Sequence, residues 1–385
     1  MGLFELFCFP TRSFILKGTE SAQDDNQRHS MNTKPSLKGL NVVDLTAALT
    51  PFGKRAFHAR QIMAWFYQRG VSDFAQMTDL AKPFRDELQH HFTADELEVV
   101  TSKTSQDGTR KLLFQAKDGE SIESVLIPGR NQGGDEDERQ TACISSQAGC
   151  KLKCGFCATG SQGFARDLTP AEITDQLFHL QQLAGGQRIT NVVFMGMGEP
   201  FLNYDNVLYS ARLINSHLGF NLGARHITFS TAGIVPGILR LAREPEQFKL
   251  AISLNAPTDA IRSRIMPVNK KHPLKELLSA ATQYAEQRGK LVFFEYVLLD
   301  GINDSLDNAR ELASLLRGFP GKINLISYNR YSTQDTFKPT PPKRFEQFFR
   351  LLSELFPRVT VRHSKGQDIQ AVCGQLKAAH AIDKS

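Results

Sequence analysis

The sequence predicts an α/β fold: a parallel sheet curled into a partial barrel, preceded by a small helical unit. Three observations lead there. From Thr141 onward strand and helix signals alternate about six times, the pattern of repeated βα units. Residues 39–95 instead carry apolar positions at helical spacing. A cysteine triplet directly follows the first strand of the alternating region, at the end of the strand where barrels place their chemistry.

The chain begins M-G-L-F-E-L-F-C-F-P-T-R. Glu5 interrupts this apolar run and no basic segment precedes it, so no secretory signal is expected. Leu6 stands where a myristoylation pattern needs Ser or Thr. Residues 19–38 are polar, so 1–38 are expected to form a disordered leader, with Cys8 discounted and Met31 as an alternative start. In the helical unit 39–95, Ala56, Ile62, Met63, Trp65 and Phe66 set the apolar spacing. Lys54, Arg55, His58, Arg60 and Arg69 interleave with Trp65 and Tyr67. Such a face is either a solvated basic surface over an aromatic core or an RNA-docking appendage.

Residues 96–140 read as a β-rich connecting region, with turns at Asp107-Gly108 and Asp118-Gly119 and a polar loop over 129–140. The barrel is expected over 141–378, followed by a tail, 379–385. Its strands are expected at 141–147, 190–196, 226–231, 249–254, 291–298, 322–328 and 358–363. Helices are expected at 205–217, 236–243, 273–288, 306–317 and 343–355. Another begins at Thr169-Pro170-Ala171-Glu172, a capping box with Pro at the first helical position.

Composition fits a cytoplasmic enzyme. Six cysteines in 385 residues are no disulfide framework. No run of 18 apolar residues exists, so no membrane span is expected. The net charge of +6 mildly favours a polyanionic partner.

Cys150, Cys154 and Cys157 read C-x3-C-x2-C. Zinc sites close with four ligands, and ordinary cubane clusters with four thiolates. Three thiolates without a near fourth leave one iron of a [4Fe–4S] cluster open to a substrate. A structural zinc knuckle completed by a distant His is the other reading. The next strand ends F-M-G-M-G-E-P, where Gly196 and Gly198 allow close backbone approach and Glu199 can accept from an ammonium. Later strand ends offer Ser230, then Ser253 and Asn255, then Asn324 and Asn329. Singly these are ordinary strand caps; together at one end of a barrel they suggest a nucleoside pocket. Cys143 and Cys373 are either two buried thiols or, for Cys373 beside the segment S-K-G-Q-D, a mobile nucleophile.

The motifs ESVLIP, CISSQAGCKLKCGFCATG, GFARDL, MGMGEP, STAG, SLNAP, NKK, KINLISYN and RHSKGQDIQAVCGQL resemble the radical S-adenosylmethionine adenine C2 methyltransferases of ribosomal and transfer RNA, from about residue 40 to 378. The resemblance implies a partial (β/α)6 radical-SAM barrel with an N-terminal accessory domain, one [4Fe–4S] cluster on Cys150, Cys154 and Cys157, and two S-adenosylmethionine molecules per turnover. It implies cosubstrate contacts at Gly198, Glu199, Ser230, Ser253, Leu254, Asn255 and Asn329, where Asn255 stands in place of a His found in some members. Cys373 corresponds to the cysteine that becomes methylated, Cys143 to its partner thiol, and Glu123 to a carboxylate given proton-transfer work. Adenine C2 lies between two ring nitrogens and is not nucleophilic, so the family uses a radical route. A methylene radical on methylated Cys373 adds to C2, and Cys143 then resolves the tether as a disulfide.

The implied partners are 23S rRNA, tRNA, a low-potential electron donor such as flavodoxin or ferredoxin, and a thiol reductant, with the enzyme a cytoplasmic monomer. The related antibiotic-resistance branch, which methylates adenine C8, shares nearly all these motifs. A non-catalytic iron–sulfur RNA-binding sensor is a third reading, although it would not need Cys143, Cys373 and a full strand-end pocket.

Overall fold

A computed structural model describes residues 34–129, 139–331 and 335–376. Cys8, Met31, the centre of the polar loop 129–140 and the tail 379–385 lie outside the described residues. Residues from Pro35 onward form one compact unit.

Three short helices open it: α1 (Val42–Leu49), α2 (Ala56–Met63) and α3 (Lys82–His91), with a π-helical turn over Ala64–Gln68 extending α2. Asn41 starts α1, its side-chain oxygen accepting from the backbone N–H groups of Val43 and Asp44 at 2.8 and 3.0 Å. Leu45, Ile62, Phe66, Phe74, Phe84 and Leu88 bury together in a core of their own. The leader expected over 1–38 stops short of that boundary. Leu37 donates its N–H to the Thr93 carbonyl at 2.9 Å, and the side chains of Leu37 and Lys38 are buried.

Lys38 joins the helical unit to the barrel. Its ammonium lies 2.7 Å from Asp175 and 3.7 Å from the Phe178 ring centre. The other Asp175 oxygen accepts from the N–H groups of Glu96 and Leu97, both at 2.9 Å.

Next come β1 (Leu97–Thr104), β2 (Arg110–Ala116) and β3 (Ser121–Pro128), an antiparallel meander turning at the two Asp-Gly pairs. β4 (Gln140–Cys143) begins the barrel. A two-stranded ribbon, β5 (Gln147–Gly149) with β6 (Phe164–Asp167), brackets the short α4 (Ala158–Gln162), and α5 (Pro170–Leu183) follows. The Thr169–Glu172 capping box forms, with Thr169 N–H donating to the Glu172 carboxylate at 2.8 Å.

The alternation then runs β7 (Asn191–Phe194), α6 (Tyr204–Asn215), β8 (Ile227–Thr231), α7 (Val235–Arg243), β9 (Lys249–Ser253). It continues α8 (Asp259–Ile265), α9 (Leu274–Arg288), β10 (Val292–Leu298), α10 (Leu306–Leu315), β11 (Gly321–Ser327), α11 (Pro342–Leu355) and β12 (Val359–Arg362). The sheet order is β1-β2-β3-β4-β7-β8-β9-β10-β11-β12, parallel from β4 onward. β3 pairs antiparallel with β4, Val125 facing Cys143. The region expected to connect two domains is therefore the antiparallel edge of the barrel sheet itself.

Side chains alternate across this sheet with period two. Phe194, Phe229, Ile252, Phe294 and Leu325 are fully buried against the helices. Their neighbours Val193, Thr228, Phe293, Lys322 and Asn324 are only half-buried and line an open lumen. The lumen is not packed solid as a closed barrel's would be. Among the described residues, no helix is long and apolar enough to cross a membrane.

Candidate active site

The cysteine triplet sits on the loop between β5 and α4, folded back on itself by backbone bonds. Cys150 N–H donates to the Gly163 carbonyl at 2.7 Å, Cys157 N–H to the Cys154 carbonyl at 3.2 Å, and Gly155 N–H to the Ile265 carbonyl at 3.0 Å. All three thiols line one cavity of about 160 Å³ at the C-terminal ends of the strands. Burial pushes the Cys150 thiol up to about 12, and it raises Cys154 and Cys157 as well; the neighbouring Cys157 adds to the first two and Cys373 to the third. A soft, highly charged centre that binds thiolates would offset that cost. Three soft sulfur donors on the wall of one cavity are a donor set that would fit an iron–sulfur cubane.

The strand-end residues gather around the same cavity. Gly198, Glu199, Ser230, Ser253, Asn255 and Asn329 all line it. Leu254 lies behind it, fully buried, its N–H donating to the Glu295 carbonyl at 3.0 Å. Gly198 has φ +97°, and a Cβ there would fall 2.5 Å from the Gln147 side chain. That tight turn lets Gln147 accept from the Glu199 N–H at 2.9 Å. The Glu199 carboxylate accepts from Phe201 N–H at 3.1 Å and Ala232 N–H at 2.7 Å. Burial outweighs these bonds and lifts its pKa to about 7.

Some expected donors are already engaged. Asn255, in the left-handed region at φ 57°, donates to Met266 Sδ at 3.4 Å and accepts from Val297 N–H at 2.8 Å. Asn329 donates to Ser364 Oγ at 2.8 Å and accepts from Gln367 at 2.8 Å. Asn324 donates to Glu295 Oε1 at 2.8 Å and lines the lumen below rather than the cluster cavity.

Cys143 and Cys373 are both free thiols, Cys143 buried and Cys373 exposed. Cys143 ends β4 and lines the lumen; Cys373 lines the lumen and the cluster cavity alike. Burial, reinforced by the nearby Cys373, pushes the Cys143 thiol up to about 12, against the pull of Arg362. Glu123 lines neither cavity. Its carboxylate is buried against Lys111 at 2.9 Å.

The segment before Cys373, expected to be flexible, is tied down. Gly366 N–H donates to Asp107 at 2.8 Å and Ser105 Oγ donates to Asp368 at 2.5 Å, both from the β1–β2 turn. Lys365 donates to the carbonyls of Pro128 and Gly129 at 2.6 and 2.7 Å. Gly366, at φ +72°, presses so close to Thr109 that a Cβ would fall 2.9 Å from its methyl carbon. Beyond the thiol, the Gly374 carbonyl accepts from Ala158 N–H at 2.7 Å, fixing Cys373 over the cysteine loop.

Three site residues escaped sequence reasoning. Arg262, fully buried, donates to the carbonyls of Leu254 at 3.0 Å and Ala232 at 2.5 Å, and so locks the ends of β8 and β9. No local signal marks it. Glu295 and Arg362 line both cavities. A charged residue inside the apolar run V-F-F-E-Y-V-L was a signal for the first.

Comparison with known proteins agrees with this geometry. Residues 144–313 match the Radical SAM superfamily, and residues 36–94 match the ribosomal RNA large subunit methyltransferase N-terminal domain. The chain is 44% identical over 347 residues to the dual-specificity RNA methyltransferase RlmN of Geobacter sulfurreducens, covering 90% of this chain and 93% of that protein. It is 43% identical over 341 residues to RlmN of Halorhodospira halophila, covering 88% and 92%. A crystal structure of a radical SAM methyltransferase from Sphaerobacter thermophilus superposes with a TM-score of 0.85 at 42% identity, covering 89% of this chain and 99% of that one.

Proposed function

Because this chain belongs to the RlmN family of radical SAM, dual-specificity RNA methyltransferases, we propose that it methylates C2 of an adenine in 23S rRNA and of the adenine 3′ of the anticodon in some tRNAs. The observation that carries this reading is the position of Cys373. It faces the cysteine-triplet cavity on one side and the Cys143 lumen on the other. A thiol so placed can take a methyl group at the upper cavity and present it to a base in the lumen.

Cys150, Cys154 and Cys157 would hold the [4Fe–4S] cluster, which when bound supplies the electron that cleaves S-adenosylmethionine. Glu199 would receive the ammonium of that cosubstrate, and Ser230, Ser253 and the Asn329 region its remaining polar groups. Two S-adenosylmethionine molecules are consumed in this scheme, one giving Cys373 its methyl group and one its radical. Cys143 would displace Cys373 from the product and form the disulfide. Glu123 would take the C2 proton; its ion pair with Lys111 keeps a carboxylate beside β4 but leaves it outside both cavities, so the proton would need a relay. A low-potential donor and a thiol reductant complete the cycle in a reducing cytoplasm.

Mass spectrometry of 23S rRNA and tRNA nucleosides, from cells with and without the gene, tests the reading. 2-Methyladenosine should vanish from both RNAs on deletion. Loss of 8-methyladenosine instead would assign the chain to C8 chemistry.

The helical unit is proposed to dock the RNA, and its structure narrows which cations take part. Lys54 lies over the Phe84 ring at 4.3 Å, and Arg69 stacks on Trp65 at 4.0 Å and pairs with Asp79 at 3.6 Å. Arg55 and Arg60 are exposed on α2 and its cap, beside Phe57, which is 64% exposed. Phosphate contacts fall to the two arginines and base stacking to the phenylalanine. Replacing Arg55 and Arg60 by Gln should weaken RNA binding and lower the salt slope by about one to two. Removing Lys54 and Arg69 should change the slope less. Filter binding across a salt series reads both.

A further inference from the structure

Below the two thiols the lumen widens into a cavity of about 460 Å³, the size of ordinary small-ligand sites. It is entered from the N-terminal ends of the strands. Asn191 and Lys249 are the first residues of β7 and β9, Lys322 is the second of β11, and all three line it. It shares Met195, Glu295, Ile326, Arg362 and Cys373 with the cysteine-triplet cavity, so the two join at the carrier thiol.

The mouth is cationic. Arg139, Lys249 and Lys322 line it. Burial lowers the Lys249 pKa, and the nearby positive charges of Arg139 and Lys290 lower it further. Clustered ammonium and guanidinium groups repel one another, and an anion set among them would relieve that repulsion. At the inner end stands Glu295, 6% exposed. Its Oε1 accepts from Asn324 at 2.8 Å. Its Oε2 is buried with no hydrogen-bond partner, although the Arg362 guanidinium lies 3.9 Å away. A buried acceptor without a hydrogen-bond donor is costly, and the more so when it is charged. In a wall shared by both cavities it is placed to receive a donor from a ligand.

We propose that this lumen is the pocket of the target nucleotide, entered from the N-terminal mouth of the barrel, with Glu295 accepting the 6-amino group of the adenine and Lys249 and Lys322 meeting its phosphates. The proposal rests on the RNA-methyltransferase reading. It adds the direction of entry and the groups that select the base. Carboxylates accept from exocyclic amines of nucleobases elsewhere in nucleic-acid recognition. The strands' polarity separates the two ligands: the cosubstrate takes the C-terminal ends and the base comes from the other side, with Cys373 between them.

The test uses the cluster-reconstituted full chain and two synthetic RNA substrates, one with adenine at the target position and one with purine, which lacks the 6-amino group. The wild type should prefer adenine by about hundredfold or more, because the purine leaves the buried acceptor unpaired. Glu295→Gln and Glu295→Ala should cut that preference to within about tenfold. Lys249→Gln with Lys322→Gln should lower the salt slope of binding by about one to two for both RNAs while keeping the base preference. Cluster absorption and melting temperature check that each variant folds; if a Glu295 variant does not, the wild-type preference and the lysine variants still decide. Equal turnover of the two RNAs by the wild type, or an unchanged salt slope in the double lysine variant, overturns this pocket alone. A wild type that methylates neither RNA overturns the RNA-methyltransferase reading, and the pocket with it.

Discussion

Replacing Cys143 by alanine is expected to leave RNA covalently attached to the protein, whereas replacing Cys373 should give neither protein methylation nor RNA product. The two thiols stand at different points of the proposed reaction. Cys373 is exposed and touches both cavities, so it can carry the methyl group and form the bond to the base. Cys143 is buried and lines the lumen alone of the two cavities, so it acts on what Cys373 holds there. Without it the methylene bridge has no internal thiol to break it. Denaturing gel shift, nuclease digestion and peptide mass spectrometry would locate the adduct on Cys373.

Acidity sharpens this expectation. Burial raises Cys143 to about 12, so at neutral pH it is a thiol and a poor nucleophile. In the adduct Cys373 is a thioether and no longer repels a second thiolate, but the burial remains. The thiolate fraction of Cys143 then rises about tenfold per pH unit below its pKa. Wild-type enzyme quenched during turnover should therefore hold more adduct as pH falls. Normal turnover by Cys143→Ala, with no adduct at any pH, would make Cys143 a structural thiol.

The second large effect is on stability. Asp175→Ala should destabilise the fold by about 3–5 kcal/mol, the usual cost of stranding one partner of a buried ion pair. Lys38 and Asp175 side chains are both 0% exposed, and the remaining neighbour of Lys38, Asp95, is 64% exposed at 3.3 Å. The variant also strands the N–H groups of Glu96 and Leu97. Lys38→Met combined with Asp175→Leu removes both charges and should recover roughly half of the loss, since only the backbone donors remain unmet. Urea titrations followed by circular dichroism measure both. A loss below about 1 kcal/mol in the single variant would mean that water reaches Lys38.

Much of this architecture was readable from residue patterns. The barrel strands fall within a few residues of the alternation that predicted them, because each is a short apolar run between Gly, Pro and polar breaks. The Thr169 capping box marked its helix start correctly. The short ribbon around the cysteine loop and the helix Asp259–Ile265 were missed, being too brief to show a period. The meander's place in the barrel sheet was also invisible, since pairing between Val125 and Cys143 leaves no local trace. At the site, residue types gave the candidates but not their partners. Asn255, Asn329 and Glu123 proved to be already hydrogen-bonded or ion-paired. The segment S-K-G-Q-D reads as flexible, yet the turn 105–109, some 260 residues earlier, pins it. Arg362 became legible only once strand alternation had a sheet to face, whereas Glu295 was marked as the charge inside an apolar run.

Cys373, the proposed methyl carrier, lies in the last described segment, after β12, while Cys143, its proposed partner, lies on β4, the first strand of the barrel. Synthesis proceeds from the N-terminus and domains begin to fold as they emerge. A nascent chain can therefore lay down the helical unit, the meander and most of the barrel before Cys373 exists as part of the fold. In the proposed reaction, turnover cannot begin until that segment docks on the β1–β2 turn. On the proposed reading, a chain interrupted before residue 373 would keep the helical unit and the cysteine triplet but lack the thiol that carries the methyl group.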